Sequence, residues 1–142
     1  MESQLSRYFK NLKSVNIETI SSCNLSTVHP KCPIKEREKC FGKNILDIKA
    51  IENIFETLNN YGYTGLTGLH HYSEPLIDKR IVDIVKTGKR LCPHGKIQIW
   101  SNGILLTKEV GEKLIEAGVD KISGSVLTMR VIIIDLIKYL LI

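Results

Sequence analysis

The fold is decided by residues 96–126, which read KIQIWSNGILLTKEVGEKLIEAGVDKISGSV. The apolar alternation of Lys96–Ser101 predicts a strand. Thr107 then caps a helix that Gly118 ends, and residues 120–126 form the next strand. A strand, a helix and a strand in this order make a βαβ unit, whose two strands lie parallel in one sheet.

The same alternation is repeated towards the N-terminus. Residues 15–20 and 63–70 predict two earlier strands. Between them, Asn44 caps a helix that Gly62 ends, and Asp78 caps the helix that follows. The chain is therefore predicted to be α/β, with about four parallel β/α units forming a partial TIM-like barrel.

Composition limits the function classes. The 142 residues suffice for one domain with a core, and Lys and Arg exceed Asp and Glu by 20 − 15 = 5. The run at 35–39 alternates in sign, which predicts a solvated mixed-charge loop and no nucleic-acid-binding stripe.

Location is also constrained by the sequence. Residues 1–14 lack the apolar core of a signal peptide or anchor. The apolar stretch at 131–142 is interrupted by Asp135 and Lys138 and is too short to span a bilayer, so no membrane partner is expected. Four cysteines without a secretory signal indicate a reducing, cytoplasmic setting, where clustered thiols bind metal more often than they form disulfides.

Chemistry-bearing residues follow three of the predicted strands. Cys23 comes after the first strand, residues 72–76 after the second, and Asn102-Gly103 after the third. In open α/β sheets, ligands bind at the carboxyl ends of the strands. A single site at this edge of the sheet is therefore expected.

The first loop resembles the cluster loop of the radical S-adenosylmethionine (SAM) superfamily, often written C-N-x-x-C-x-x-C-P. Cys23-Asn24-Leu25 matches its start, and Cys32-Pro33 matches its last cysteine and proline. The resemblance implies that these cysteines hold a [4Fe-4S] cluster whose open iron chelates SAM. Thr27 stands where the family's middle cysteine belongs.

The third cluster ligand is therefore either Cys40 or His29. An all-thiolate set suits a low-potential cluster better and favours Cys40. The alternative, that Cys40 is a surface cysteine beside Phe41, stays open.

The second and third segments extend the resemblance. Residues 69–76, LHHYSEPL, are similar to the F-H-x-Y-x-E-P-L motif of superfamily members with a SPASM or twitch domain. The resemblance implies that three residues of this segment bring carbonyls and a carboxylate to the SAM amino group: Tyr72, Ser73 and Glu74.

The third strand ends in Ser101-Asn102-Gly103, similar to the family's T-N-G, which implies that Ser101 and Asn102 lie near SAM. Ser123 and Ser125 fall where polar residues of the family often approach SAM.

Two further polar clusters lie beside these motifs. His70 and His71 are adjacent on a predicted strand and so would point to opposite faces, which argues against a shared metal; one would face the barrel interior and the other would pack beneath a helix. Cys92 and His94 precede the third strand, at the end opposite the expected site, where a structural role is favoured.

The resemblance implies an enzyme that cleaves SAM to a 5′-deoxyadenosyl radical. It would draw an electron from an external donor and abstract hydrogen from an unidentified small molecule or peptide. The cofactors are then a [4Fe-4S] cluster and SAM.

The resemblance ends near Ser125. This predicts a truncated core domain at 1–126 and an atypical apolar tail at 127–142, of the kind that a frameshift or premature stop produces. The tail would cover the last sheet edge as a strand at 131–134, or form a helix. The alternative function is a non-catalytic remnant that binds zinc or a cluster through Cys23, His29, Cys32 and Cys40.

Overall fold

Strands and helices alternate along much of the chain, and the strands form one sheet. The computed structural model describes residues 3–28, 32–124 and 132–134. Its helices are α1 Gln4–Asn11, α2 Ile34–Phe41, α3 Ile48–Asn60, α4 Ile81–Leu91 and α5 Lys108–Glu116, with a 3₁₀ turn at Pro75–Ile77. Its strands are β1 Ser14–Asn16, β2 Leu66–Gly68, β3 Lys96–Ser101, β4 Lys121–Gly124 and β5 Ile132–Ile134.

The sheet follows chain order from β1 to β5. The first four strands are parallel, with Val15 beside Thr67 and Thr67 beside Ile97. Sequential parallel strands with helices between them are the arrangement of a section of a β/α barrel. The prediction of an α/β chain with four parallel strands is confirmed.

The last strand departs from the parallel pattern, because β5 pairs antiparallel with β4. Of the two alternatives for the apolar tail, the strand is confirmed for residues 132–134. Residues 125–131 and 135–142 lie outside the described part of the chain.

The core lies between the sheet and helices α3, α4 and α5. Phe55 and Ile97 meet over Gly88, where an added Cβ would come within 2.6 Å of the Phe55 ring and 2.7 Å of Ile97 Cδ1. Only a residue without a side chain permits this approach of α4 to the sheet. The close contact fixes α4 against β3.

Three predicted helix ends are confirmed. Thr107 Oγ1 accepts a hydrogen bond from the Val110 N–H at 3.2 Å, as an N-cap does. Gly62 and Gly118 end their helices at φ 73° and 90°, in the left-handed region that glycine adopts without a Cβ clash.

Two predicted caps are wrong. Asn44 lies after α2, and its side-chain amide donates to the Phe41 carbonyl at 2.7 Å, while Asp47 caps α3 by accepting from Lys49 N at 2.8 Å. The carboxylate of Asp78 binds Arg80, accepting from its backbone N at 3.0 Å and from Nη2 at 2.8 Å, so α4 begins only at Ile81.

Other boundaries also differ from the prediction. The mixed-charge run at 35–39 lies in helix α2 and not in a loop, and α1 was not predicted. Strands β1, β2 and β4 are shorter than expected; beyond β1, Ile20 leaves the parallel sheet and bridges Ile45. Among the described residues, no helix is long and apolar enough to cross a membrane.

Candidate functional site

Residues from all three segments line one cavity of about 350 Å³ at the carboxyl edge of the strands. Seven of the predicted site residues lie there: Cys23, Cys32, Tyr72, Ser73, Glu74, Ser101 and Asn102. The chain reaches this edge three times because β1, β2 and β3 are parallel, so the loops that follow them converge.

Glu74 is the buried charge of this cavity, with 2% of its surface exposed. Its Oε1 accepts from Ser101 Oγ at 2.8 Å and from Leu76 N at 3.1 Å, and its Oε2 accepts from Asn102 N at 2.7 Å. The carboxylate thereby joins the loop after β2 to the end of β3. No ion pair between described residues involves Glu74.

A carboxylate has about four lone-pair sites, of which these donors use three. One site on Oε2 therefore stays open to a ligand. Buried charges in proteins are usually paired, which makes a cation the complementary ligand here.

Cys23 lies opposite, in the loop after β1. Its Sγ accepts from Leu25 N at 3.4 Å and lies 3.9 Å from Asn102 Nδ2, which also donates to Asn24 Oδ1 at 2.7 Å. Burial raises the pKa of the Cys23 thiol, and the charges of Glu74 and Cys32 raise it further, against the opposing Leu25 hydrogen bond. These surroundings favour the neutral thiol, whereas a bound metal cation would favour the thiolate.

Of the other three proposed metal ligands, one lines the cavity, one lies outside it and one is not among the described residues. Cys32 lines the cavity with Cys23, whereas Cys40 is exposed on α2 and does not line it. His29 lies outside the described residues. Within the described ranges no three His, Cys, Asp or Glu side chains form a group that could hold a metal. The described part of the cavity supplies two cysteine sulfurs, the soft donor type that iron–sulfur clusters take, and the third ligand stays a prediction.

Ser123 is not brought to the cavity. It is 1% exposed on β4, and its Oγ accepts from Gln98 Nε2 at 2.9 Å, so the side chain is engaged within the sheet. Ser125 lies outside the described residues.

His70, His71 and Trp100 also line the cavity, whereas the sequence predicted that only one of the two histidines would face inward and did not predict Trp100. Strand β2 ends at Gly68, so the alternation that would have placed the two histidines on opposite faces does not apply, and both line the same cavity. Trp100 is 42% exposed, and its ring lies 6.0 Å from that of His70. Trp100 directly precedes Ser101 at the carboxyl end of β3, a position that could have identified it.

The histidine end of the cavity has unsatisfied polar atoms. His70 Nδ1 and Ser73 Oγ are buried and have no hydrogen-bond partner among the described residues. Burial lowers the pKa of His70, and the charge of His71 lowers it further; both effects favour the neutral ring. Buried polar atoms without partners are usually satisfied by a ligand or water, which is consistent with a binding cavity.

Cys92 lies away from this cavity. It is 3% exposed and sits before β3, with its Sγ 3.9 Å from the Tyr63 carbonyl. Its predicted structural role agrees with this packing.

No protein-family model matches the sequence. The chain is similar to the S-adenosyl-L-methionine-dependent 2-deoxy-scyllo-inosamine dehydrogenase of Niallia circulans, with 24% identity over 112 residues, 79% of this chain and 44% of that protein. It spans less than half the length of this curated relative.

Two solved structures share the fold. The chain is similar to BtrN in complex with AdoMet and 2-DOIA, with a TM-score of 0.66 and 24% identity over 80% of this chain and 45% of that one. It is also similar to BtrN in an open conformation, with a TM-score of 0.70 and 25% identity over 80% and 49%. These relatives support the resemblance to the radical SAM superfamily; the SPASM or twitch subgroup stays a prediction.

Proposed function

We propose that the cavity between the Cys23 loop and the Tyr72–Glu74 segment holds a [4Fe-4S] cluster and SAM. The observation that carries the proposal is the carboxylate of Glu74. It is buried, bound by donors from two loops, and without a cationic partner among the described residues, beside two cysteines of the same cavity.

Cys23 and Cys32 would hold the cluster, with the third ligand from Cys40 or His29. Binding requires the thiolate form, so the proton of the Cys23 thiol must leave when the metal enters. The Leu25 N–H and the Asn102 amide are placed to stabilise the sulfur once it is charged.

Glu74 would accept a hydrogen bond from the SAM ammonium at its open Oε2 site. Ammonium groups carry three donors and need several acceptors together. Ser73 Oγ, buried and unpartnered in the same cavity, is a second acceptor within this chain. Ser101 and Asn102 orient the carboxylate through their bonds to it.

The bound cofactors would supply reductive cleavage of SAM to a 5′-deoxyadenosyl radical, driven by an external electron donor. The protein's contribution is to orient the cofactors and exclude competing reactions. The SAM dependence named for the dehydrogenase relative and the AdoMet bound to BtrN support this proposal. The radical would then abstract hydrogen from a substrate, and this step is proposed for the whole protein.

The proposal is tested by anaerobic reconstitution with iron and sulfide. We expect a brown protein with broad visible absorption, lost in Cys23→Ala and in Cys32→Ala. Cys92→Ala removes a thiol at the other end of β3 and is the matched control, expected to reconstitute like the parent.

If Cys23→Ala and Cys32→Ala both take up iron and sulfide like the control, the cluster assignment is wrong. If both variants instead lose the cluster, a comparison of Cys40→Ala with His29→Ala identifies the third ligand. A zinc site would instead give a colourless protein that retains zinc through the same cysteines.

A further inference from the structure

Glu18 does not line the cavity but joins two elements beside it, helix α2 and the loop after β2. Its Oε2 accepts from Arg37 Nη1 on helix α2 at 2.6 Å, and its Oε1 accepts from the Tyr72 backbone N–H at 2.9 Å. Because the two oxygens bind different elements, one side chain ties α2 to the loop after β2.

Arg37 closes this contact into a triangle. Its guanidinium carbon lies 5.2 Å from the centroid of the Tyr72 ring, within the range of a cation–π contact. The Glu18 and Arg37 side chains are 16% and 34% exposed, so water screens their ion pair less than it screens a surface pair.

Arg37 and Tyr72 each belong to a segment that also carries a proposed ligand. Helix α2 begins at Ile34, two residues after Cys32, and Tyr72 opens the segment that carries Glu74. The triangle therefore sets how far the Cys32 side of the cavity lies from the Tyr72–Glu74 segment.

A separate tether serves the Cys23 side. The Glu74 backbone N–H donates to the Ser22 carbonyl at 2.9 Å, immediately before Cys23. The backbone thus connects one cysteine to the Tyr72–Glu74 segment, and the Glu18–Arg37 pair connects the other.

We propose that Glu18 and Arg37 are positioning residues that hold Cys32 in register with the Tyr72–Glu74 segment, so that cluster and SAM share one site. The inference rests on the proposed function and extends it to residues that touch neither cofactor. Loss of the pair should weaken SAM binding more than it weakens cluster assembly, because iron uptake depends on the cysteines while SAM also needs Glu74 at the right distance.

Two variants separate the contacts of Glu18. Glu18→Gln keeps an acceptor for the Tyr72 N–H but turns an amide donor towards Arg37, and Glu18→Ala removes both contacts. Arg37→Lys keeps the cation for Glu18 but loses the planar group over Tyr72, so it tests the stacking contact by itself. Glu36→Gln is the matched control, because Glu36 neighbours Arg37 on α2 but pairs with Lys39 in solvent.

The first readout needs no cofactor. Hydrogen exchange of the Tyr72 amide in the apo protein should accelerate in Glu18→Ala, while that of the Glu74 amide, held by Ser22, should stay near the parent rate. A general loss of structure would accelerate both amides and would overturn the positioning role.

The second readout is SAM affinity of the reconstituted protein, measured by equilibrium dialysis beside iron content. Removal of residues that orient a metal site typically costs roughly 10–100-fold. We expect a rise of this size in the SAM Kd for Glu18→Ala, a smaller rise for Glu18→Gln, and iron content near that of Glu36→Gln.

SAM affinity equal to the control in both Glu18 variants would overturn the inference while leaving the proposed function intact. A reconstituted parent that binds no SAM would instead overturn the proposed function, and this inference with it.

Discussion

Replacement of Glu74 by Gln tests whether the buried carboxylate joins the two cavity loops in the apo protein. Glutamine keeps the size of the side chain and one acceptor oxygen. If that oxygen stays with Ser101 and Leu76, the new amide nitrogen replaces the Oε2 that accepts from Asn102 N at 2.7 Å. A donor then faces a donor, and the loop at the end of β3 loses its bond.

The expected cost follows from these contacts. A hydrogen bond to a charged group is worth about 1.5–3 kcal/mol, and the two bonds that remain become neutral and weaker. Removal of a buried charge offsets part of this loss, because the carboxylate no longer has to be desolvated. The net destabilisation should be about 2 kcal/mol, which lowers the Tm by roughly 5 °C in a chain of this length.

The assay is urea unfolding of the apo protein, followed by circular dichroism. Glu56→Gln, on the exposed side of α3, makes the same chemical change and should stay within about 0.5 kcal/mol of the parent. Ser101→Ala removes one donor and should cost about 1 kcal/mol. Its effect should be smaller in the Glu74→Gln background, since the two side chains share a bond. A midpoint for Glu74→Gln equal to that of Glu56→Gln would refute this account of the carboxylate.

Three further outcomes follow from the described residues. Gly88→Ala should destabilise the apo protein by about 1–3 kcal/mol through overpacking. Gly111→Ala, on α5 with open space at its Cβ, should stabilise it by up to about 1 kcal/mol. Equal urea midpoints for the two variants would contradict the packing of α4 against the sheet. Burial opposes ionisation of Asp78, but hydrogen bonds from the arginine two residues on outweigh it and lower its pKa. The stability from Asp78 should therefore be present above about pH 4 and lost as the pH falls further, so the gap between parent and Asp78→Asn should close in acid titrations; a constant gap would contradict this. Burial raises the pKa of Cys23, so iodoacetamide should label it more slowly than the exposed Cys40 at pH 8 in mass spectrometry, and equal rates would count against its environment.

The sequence predicts the fold best where local signals agree. The bounds of β3 are confirmed because its alternation is bordered by turn residues on both sides. Thr107, Gly62 and Gly118 act locally, and their roles depend on few other residues. The cap errors arose where another neighbouring group bound the side chain that was expected to cap the helix.

Asn44 has the right chemistry for an N-cap, but the chain places it where the last carbonyls of α2 need a donor. Asp78 is likewise a good cap residue whose side chain instead binds a neighbouring guanidinium. Helix α2 was missed because its charges read as a loop, although Ile34 is fully buried and anchors it.

The sequence predicts those site residues that belong to short motifs at strand ends. It does not predict residues whose role depends only on three-dimensional contacts. Cys23 and Glu74 were identified from short segments, and parallel strands bring them together. Ser123 fell at a plausible position but bonds within the sheet. Glu18 has no motif of its own, since its role depends on an arginine nineteen positions away.

The central claim, that this cavity holds cluster and SAM together, is tested most directly by SAM binding to the anaerobically reconstituted chain. Equilibrium dialysis with labelled SAM should show saturable binding to the parent, and none to Cys23→Ala, which should lack iron. A parent that carries iron and sulfide but binds no SAM would contradict the account, as would Cys23→Ala binding SAM with the affinity of the parent.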